Sequence, residues 1–217
     1  AHEDQAALDF YAEQNSIRNS LTRELNHRVK NTLANVLSIV ALTRRRAHSL
    51  EDFASGLDGR IRALSATHDL LTQSDWGTTP LRAVLEAELA PYANSAESIL
   101  KLEGPEVDLA PNDALSFGLA IHELATNALK YGALAHQDGK VTIDWEVAEG
   151  TLVIEWEETR GQGAIPLAAN PEIKGTGSGT RLIEGVIRGL GGGVEMRFEP
   201  TGFQATIRVP AAARALD

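Results

Sequence analysis

From Asp4 to Arg46 the chain contains no proline and no glycine. Within that run Leu25, Val29, Leu33, Val36 and Val40 recur at the helical period of about 3.6 residues. A stretch of this length cannot be a strand or a loop, so the chain must open with one long amphipathic helix. A break at His48–Leu50 follows, with Ser49 a suitable N-cap for a second helix. That helix sets Phe53, Leu57, Ile61, Leu64 and Leu71 on one side. Two amphipathic helices joined by a short turn make a hairpin, which needs a further partner to cover its apolar surface.

Beyond the hairpin, helix and strand patterns alternate. Gln73 to Pro80 reads as a linker, with Pro80 in the first turn of a helix running to Ala93. Ser98 to Glu103 reads as a strand, and Pro111 to Gly132 as a second amphipathic helix. Lys140–Val147 and Thr151–Glu157 alternate as strands around a Glu149-Gly150 turn. Thr159 to Thr180 has no period and is long for a connection, which marks it as functional or mobile. A helix to about Leu190 and a hairpin of Gly193–Glu199 with Phe203–Val209 complete the pattern. The fold class is α+β: a helical hairpin, then an α/β sandwich with strands in one layer and helices in the other.

Composition narrows the function classes. The 217 residues carry a formal net charge of −10, which disfavours nucleic acid as a partner. There are no cysteines, hence no disulfide framework or thiolate metal site, consistent with a reducing compartment. No apolar run is long enough for a membrane span. The first residue is not methionine and lies inside a helical pattern, so the chain reads as a piece of a longer protein.

The segment His122-Glu-Leu-Ala-Thr-Asn-Ala-Leu-Lys-Tyr-Gly-Ala133 carries the most chemistry. On a helix, Glu123, Asn127 and Lys130 share one face, about a quarter turn from the apolar stripe of Phe117, Ile121, Leu124, Ala128 and Tyr131. A carboxylate, a carboxamide and an ammonium in line suit a metal-bound polyphosphate. The second candidate is His27, which points about 160° from the centre of its helix's apolar stripe, towards solvent. Glu24 and Asn31 share its side, with Ser20, Arg23 and Lys30. An imidazole near neutrality is a usable nucleophile. The third is the loop Lys174-Gly-Thr-Gly-Ser-Gly-Thr-Arg-Leu-Ile183 leading into a helix. Gly175, Gly177, Ser178 and Gly179 let backbone N–H groups approach an anion, although the spacing is not that of a P-loop. The fourth is Trp156-Glu157-Glu158 at a strand end. Its carboxylate suits an exocyclic purine amine, with the indole packing beside the base.

Taken together, these motifs resemble the HWE subgroup of sensor histidine kinases. The subgroup's marker histidine matches His122 and its Trp-x-Glu motif matches Trp156 and Glu158. Its His-Arg-x-Lys-Asn phosphoacceptor run matches His27-Arg28-Val29-Lys30-Asn31, and the motifs stand in the expected order over nearly the whole chain. The resemblance implies a dimerisation and phosphotransfer hairpin over residues 1–75, half of a four-helix bundle if the protein is a homodimer, although a monomer stays open. An ATP-binding domain of Bergerat type would occupy residues 76–217. It implies ATP and Mg2+ as cofactors and His27 as phosphoacceptor. Asn127 would be a metal ligand and Glu123 would assist at the metal or its water. Lys130 would neutralise phosphate, Trp156 and Glu158 would line the adenine pocket, and residues 161–174 would form the lid. His122 marks the subgroup and shapes the pocket. The implied partners are a response-regulator receiver domain and a sensory domain preceding this chain, in the bacterial cytoplasm.

Two features depart from the wider family. The acid that usually follows the phosphoacceptor is replaced by Arg28, which leaves Glu24, one turn earlier, as the candidate general base. The Asp-x-Gly-x-Gly adenine motif is also missing. Two other readings stay open: an ATPase or serine-directed kinase of the same fold, and a non-catalytic scaffold that recruits a receiver domain.

Overall fold

The computed structural model describes residues 2–45, 47–92, 100–136, 138–159, 178–200 and 202–211. The chain divides into two compact units, residues 1–45 and 46–217.

The first unit is a single helix, α1 (His2–Arg44), uninterrupted as its lack of proline and glycine requires. On it Leu21, Leu25, Val29 and Leu33 are about half exposed or more.

The second unit opens with α2 (Leu50–Gln73), capped by the Ser49 hydroxyl, which accepts from the Asp52 N–H at 3.0 Å. Apart from two single 3-10 turns at Ala90–Tyr92 and Ala133–Ala135, the remaining elements are β1 (Thr79–Pro80), α3 (Leu81–Leu89), β2 (Leu100–Glu103), β3 (Asp108–Leu109), α4 (Pro111–Tyr131), β4 (Lys140–Ala148), β5 (Thr151–Thr159), α5 (Ser178–Gly189), β6 (Gly193–Glu199) and β7 (Gly202–Pro210). Each strand and helix read from the sequence has its counterpart. β1 and β3 are additions, a two-residue antiparallel bridge too short to carry any periodic signal. Pro80 lies in β1 and precedes α3 rather than sitting inside its first turn.

The main sheet has the order β2-β4-β5-β7-β6, parallel between β2 and β4 and antiparallel elsewhere. Alternation puts Val141, Ile143 and Trp145 of β4, Leu152, Ile154 and Trp156 of β5, and Ala205, Ile207 and Val209 of β7 into the core. The β4–β5 connection turns on Glu149 and Gly150, with φ of 51° and 74°, the left-handed pair that a two-residue hairpin needs.

The helical layer is built from the apolar faces of α3 and α4, on which Leu81, Val84, Leu85, Phe117, Ile121 and Leu124 are fully or almost fully buried. α2 packs on both α3 and α4. It therefore groups with the sheet-bearing unit, one helix earlier than the division at residue 75 read from the sequence. The stretch 74–80 is held at several points: Trp76 N–H donates to Leu71 C=O at 2.7 Å, and the Trp76 indole meets the His68 ring edge-on at 4.8 Å.

Candidate functional site

The site is organised by the C-terminal half of α4. Its first turn has Pro111 at the start and Asp113 as an acid against the positive helix end, and Lys130 sits in the last turn. Helical spacing then stacks Glu123, Asn127 and Lys130. They do not share one environment: Glu123 is 5% exposed, Asn127 is half-buried and Lys130 is exposed. Tyr131, placed on the apolar stripe from the sequence, is 42% exposed instead.

Glu123 is buried because α2 supplies it with a cation. Arg60 Nε donates to Oε1 at 2.7 Å and Arg60 Nη2 to Oε2 at 2.9 Å, a two-pronged ion pair. Sequence reading passed over Arg60, although its signal was there. Leu57, Arg60, Leu64, Thr67 and Leu71 form one line at spacings of three and four, so Arg60 and Thr67 interrupt an otherwise apolar seam.

α5 approaches the same face. A Cβ built on Gly179 would stand 2.6 Å from Glu123 Oε2 and 3.4 Å from Asn127 Nδ2, so only glycine permits this approach. Ser178 begins α5 beside it. Gly175, Gly177 and the lid at 161–174 lie outside the described residues.

Beside the Arg60–Glu123 pair lies a second buried polar group. Thr67 Oγ1 donates to Glu88 Oε1 at 2.9 Å, and Glu88 Oε2 lies 4.0 Å from His122 Nδ1. Burial pushes the Glu88 carboxyl up to about 8. Burial also holds His122 below the usual imidazole range, outweighing the opposing pull of Glu123. The two groups therefore meet as a neutral acid and a neutral imidazole at pH 7. The other ring nitrogen of His122 is 3.5 Å from Thr126 Oγ1. Glu88 was also missed in the sequence, where it continues the Leu81, Val84, Leu85, Leu89 face of α3.

The Trp156–Glu158 motif turns inward. Trp156 is 1% exposed and its Nε1–H donates to Glu158 Oε1 at 2.9 Å, while Glu158 Oε2 accepts from the Ala133 N–H at 2.9 Å. Sequence placed the indole against a base and the carboxylate on its amine. In the structure the carboxylate braces the strand against the turn after α4, because even-numbered side chains of β5 face the core.

On α1 His27 is exposed, as are Leu25, Val29 and Leu33 on the apolar stripe of the same helix. Its Nδ1 lies 3.4 Å from Asn31 Nδ2, one turn on. Glu24 is paired with Arg28, four residues along, rather than with the His27 ring.

Comparison with known proteins adds an independent line. Residues 24–106 match the family model described as HWE histidine kinase. The chain is 35% identical over 192 residues to a blue-light-activated histidine kinase 1 of Erythrobacter litoralis, covering 88% of this chain and 52% of that protein. It is 34% identical over 198 residues to a blue-light-activated histidine kinase of Brucella anthropi, covering 89% of this chain and 39% of the other. The chain thus spans about half the length, or less, of these relatives. A solved histidine kinase domain from the blue-light-activated kinase of Erythrobacter litoralis shares the fold, with a TM-score of 0.56 at 20% identity over 84% of this chain and 95% of that one.

Proposed function

We propose that this chain belongs to the HWE histidine kinases and is the core of a sensor kinase that phosphorylates its own His27 from ATP. The observation that carries this reading is the α4 face on which Glu123 and Asn127 are stacked one turn apart under the glycine start of α5. The donor set fits a divalent ion on a polyphosphate. Among the described residues no cluster of three or more His, Asp or Glu can cage a metal alone. One or two side-chain oxygens with phosphate oxygens completing the shell is the arrangement Mg2+ accepts. Asn127 and Glu123 would hold it, and when bound it would supply charge neutralisation to the polyphosphate.

The chain's own residues then divide the work. Lys130 adds positive charge at the exposed end of the face, and Gly175, Gly177, Ser178 and Gly179 offer backbone N–H groups to phosphate. A nitrogen of the His27 imidazole forms a bond to the γ-phosphorus as the bond to the bridging oxygen breaks. ADP leaves and the ring gives up its proton. Asn31 orients the ring and Glu24 lies on the same side as the candidate acceptor of that proton. His122, Trp156 and Glu158 shape the pocket from within the fold. Residues 1–75 serve as the phosphotransfer hairpin, pairing with a second copy through the α1 stripe, and residues 76–217 as the ATP-binding domain with 161–174 its lid. The stretch 76–80 is the hinge. An aspartate of a response-regulator receiver domain takes the phosphoryl group onward, a preceding sensory domain sets the hairpin, and the setting is the bacterial cytoplasm. Among the described residues no helix is long and apolar enough to cross a membrane.

Incubation with γ-labelled ATP tests this. The expected result is acid-labile, base-stable label that is lost in His27→Ala while nucleotide affinity is kept. Label that persists in His27→Ala, or ATP hydrolysis with no protein-bound phosphate, overturns the assignment.

A further inference from the structure

Glu123 meets a cation in this structure, and the cation is Arg60. The guanidinium covers both carboxylate oxygens, at 2.7 and 2.9 Å, and each side chain is 7% exposed. Arg60 comes from α2, which the kinase reading assigns to the phosphotransfer hairpin, whereas Glu123 belongs to the nucleotide site. Asn127 lies one turn away, and the Gly179 backbone closes over the same carboxylate. A second buried contact, Thr67 to Glu88 at 2.9 Å, ties α2 to α3.

Electrostatics restrict what can follow. A divalent ion cannot use the Glu123 oxygens while a guanidinium sits on both, since the two cations repel at contact distance in a poorly solvated place. Simply removing Arg60 would strand a buried carboxylate, which is strongly unfavourable. Exchange of one cation for the other avoids both problems.

We propose that Arg60 is a positioning residue of the nucleotide site, a placeholder that keeps the Glu123 carboxylate aligned with Asn127 until Mg2+–nucleotide takes it over, and that this exchange frees α2 from α4. The proposal rests on the kinase reading of the site. Its consequence is thermodynamic coupling between metal loading and hairpin mobility. Whatever draws α2 away raises the affinity for Mg2+–nucleotide, and Mg2+–nucleotide loosens α2 by the same factor.

Two measurements on the full chain test it, with a non-hydrolysable ATP analogue as probe. Calorimetry first establishes that the analogue binds with Mg2+. Hydrogen exchange of peptides from Leu50–Gln73 then shows protection falling by about fivefold or more with Mg2+ and analogue, and unchanged with analogue in EDTA. In Arg60→Gln the Mg2+ concentration for half-saturation falls by about fivefold or more, because no resident cation has to leave. Arg60→Lys keeps the wild-type requirement. Binding of Mg2+–analogue with α2 protection unchanged or increased overturns the placeholder role and leaves the kinase reading intact. So does a folded Arg60→Gln that needs as much Mg2+ as the wild type, or more. If Arg60→Gln does not fold, the wild-type exchange result decides alone. Absence of analogue binding overturns both.

Discussion

Burial has already set protonation at Glu88 before any ligand arrives. Its carboxyl, pushed up to about 8, binds a proton in the folded chain that the unfolded chain releases near its ordinary value of 4.5. The stabilising contribution is complete below 4.5 and is lost as pH rises through about 8. Glu88→Gln keeps the shape and the acceptor for Thr67 but cannot ionise. The variant should be more stable than the wild type at pH 8 by about 1–3 kcal/mol, with the gap closing towards pH 4.5 in denaturant melts. His122, held low, works in the opposite direction. Its contribution is present above its ordinary 6.5 and is lost as pH falls through its depressed value. At the same scale, Asn127→Ala removes the carboxamide facing α5, and calorimetry should show Mg2+–ATP binding lost with the fold intact.

Between elements, the decisive contact is α2 on α4. Gly118 lies in the middle of α4, where alanine would ordinarily stabilise the helix by about 0.5–1 kcal/mol. A Cβ there would overlap the Thr67 hydroxyl, which is itself fully buried. Gly118→Ala should therefore destabilise the second unit by about 1–3 kcal/mol in thermal or denaturant melts, the ordinary cost of overpacking. It should also raise hydrogen exchange in α2. The β4–β5 turn behaves differently. A Cβ on Gly150 meets nothing, so the cost of substitution there comes from its φ of 74° alone.

For the whole molecule, association turns on α1. Phe10, Tyr11, Ile17, Leu21, Leu25, Val29, Leu33 and Leu37 are each 48–69% exposed along it. A face of that extent calls for a partner, and a second copy is the one proposed. Sedimentation equilibrium at micromolar concentration should give a dimer mass. Leu25→Asp with Leu33→Asp should give a monomer that still binds nucleotide.

The longer elements among the described residues were legible because each has a local cause. The proline- and glycine-free run made α1, Ser49 capped α2, and Glu149-Gly150 turned the hairpin of β4 and β5. The line of Glu123, Asn127 and Lys130 was equally local, since helical spacing alone stacks them. The partners of those side chains were not legible. Arg60 stands 63 residues from Glu123, and Glu88 is 21 residues from Thr67. Nothing in the spacing of one helix says which charge on another will meet it. The same limit applied to Trp156 and Glu158, whose motif was visible but whose inward direction follows from the register of β5 in the sheet. Sequence alone determined which groups the chain carries and on which face of each element they stand, because backbone geometry is periodic and local. Only the tertiary structure decided which of them are buried together, because desolvation and ion pairing depend on packing between segments distant in the chain.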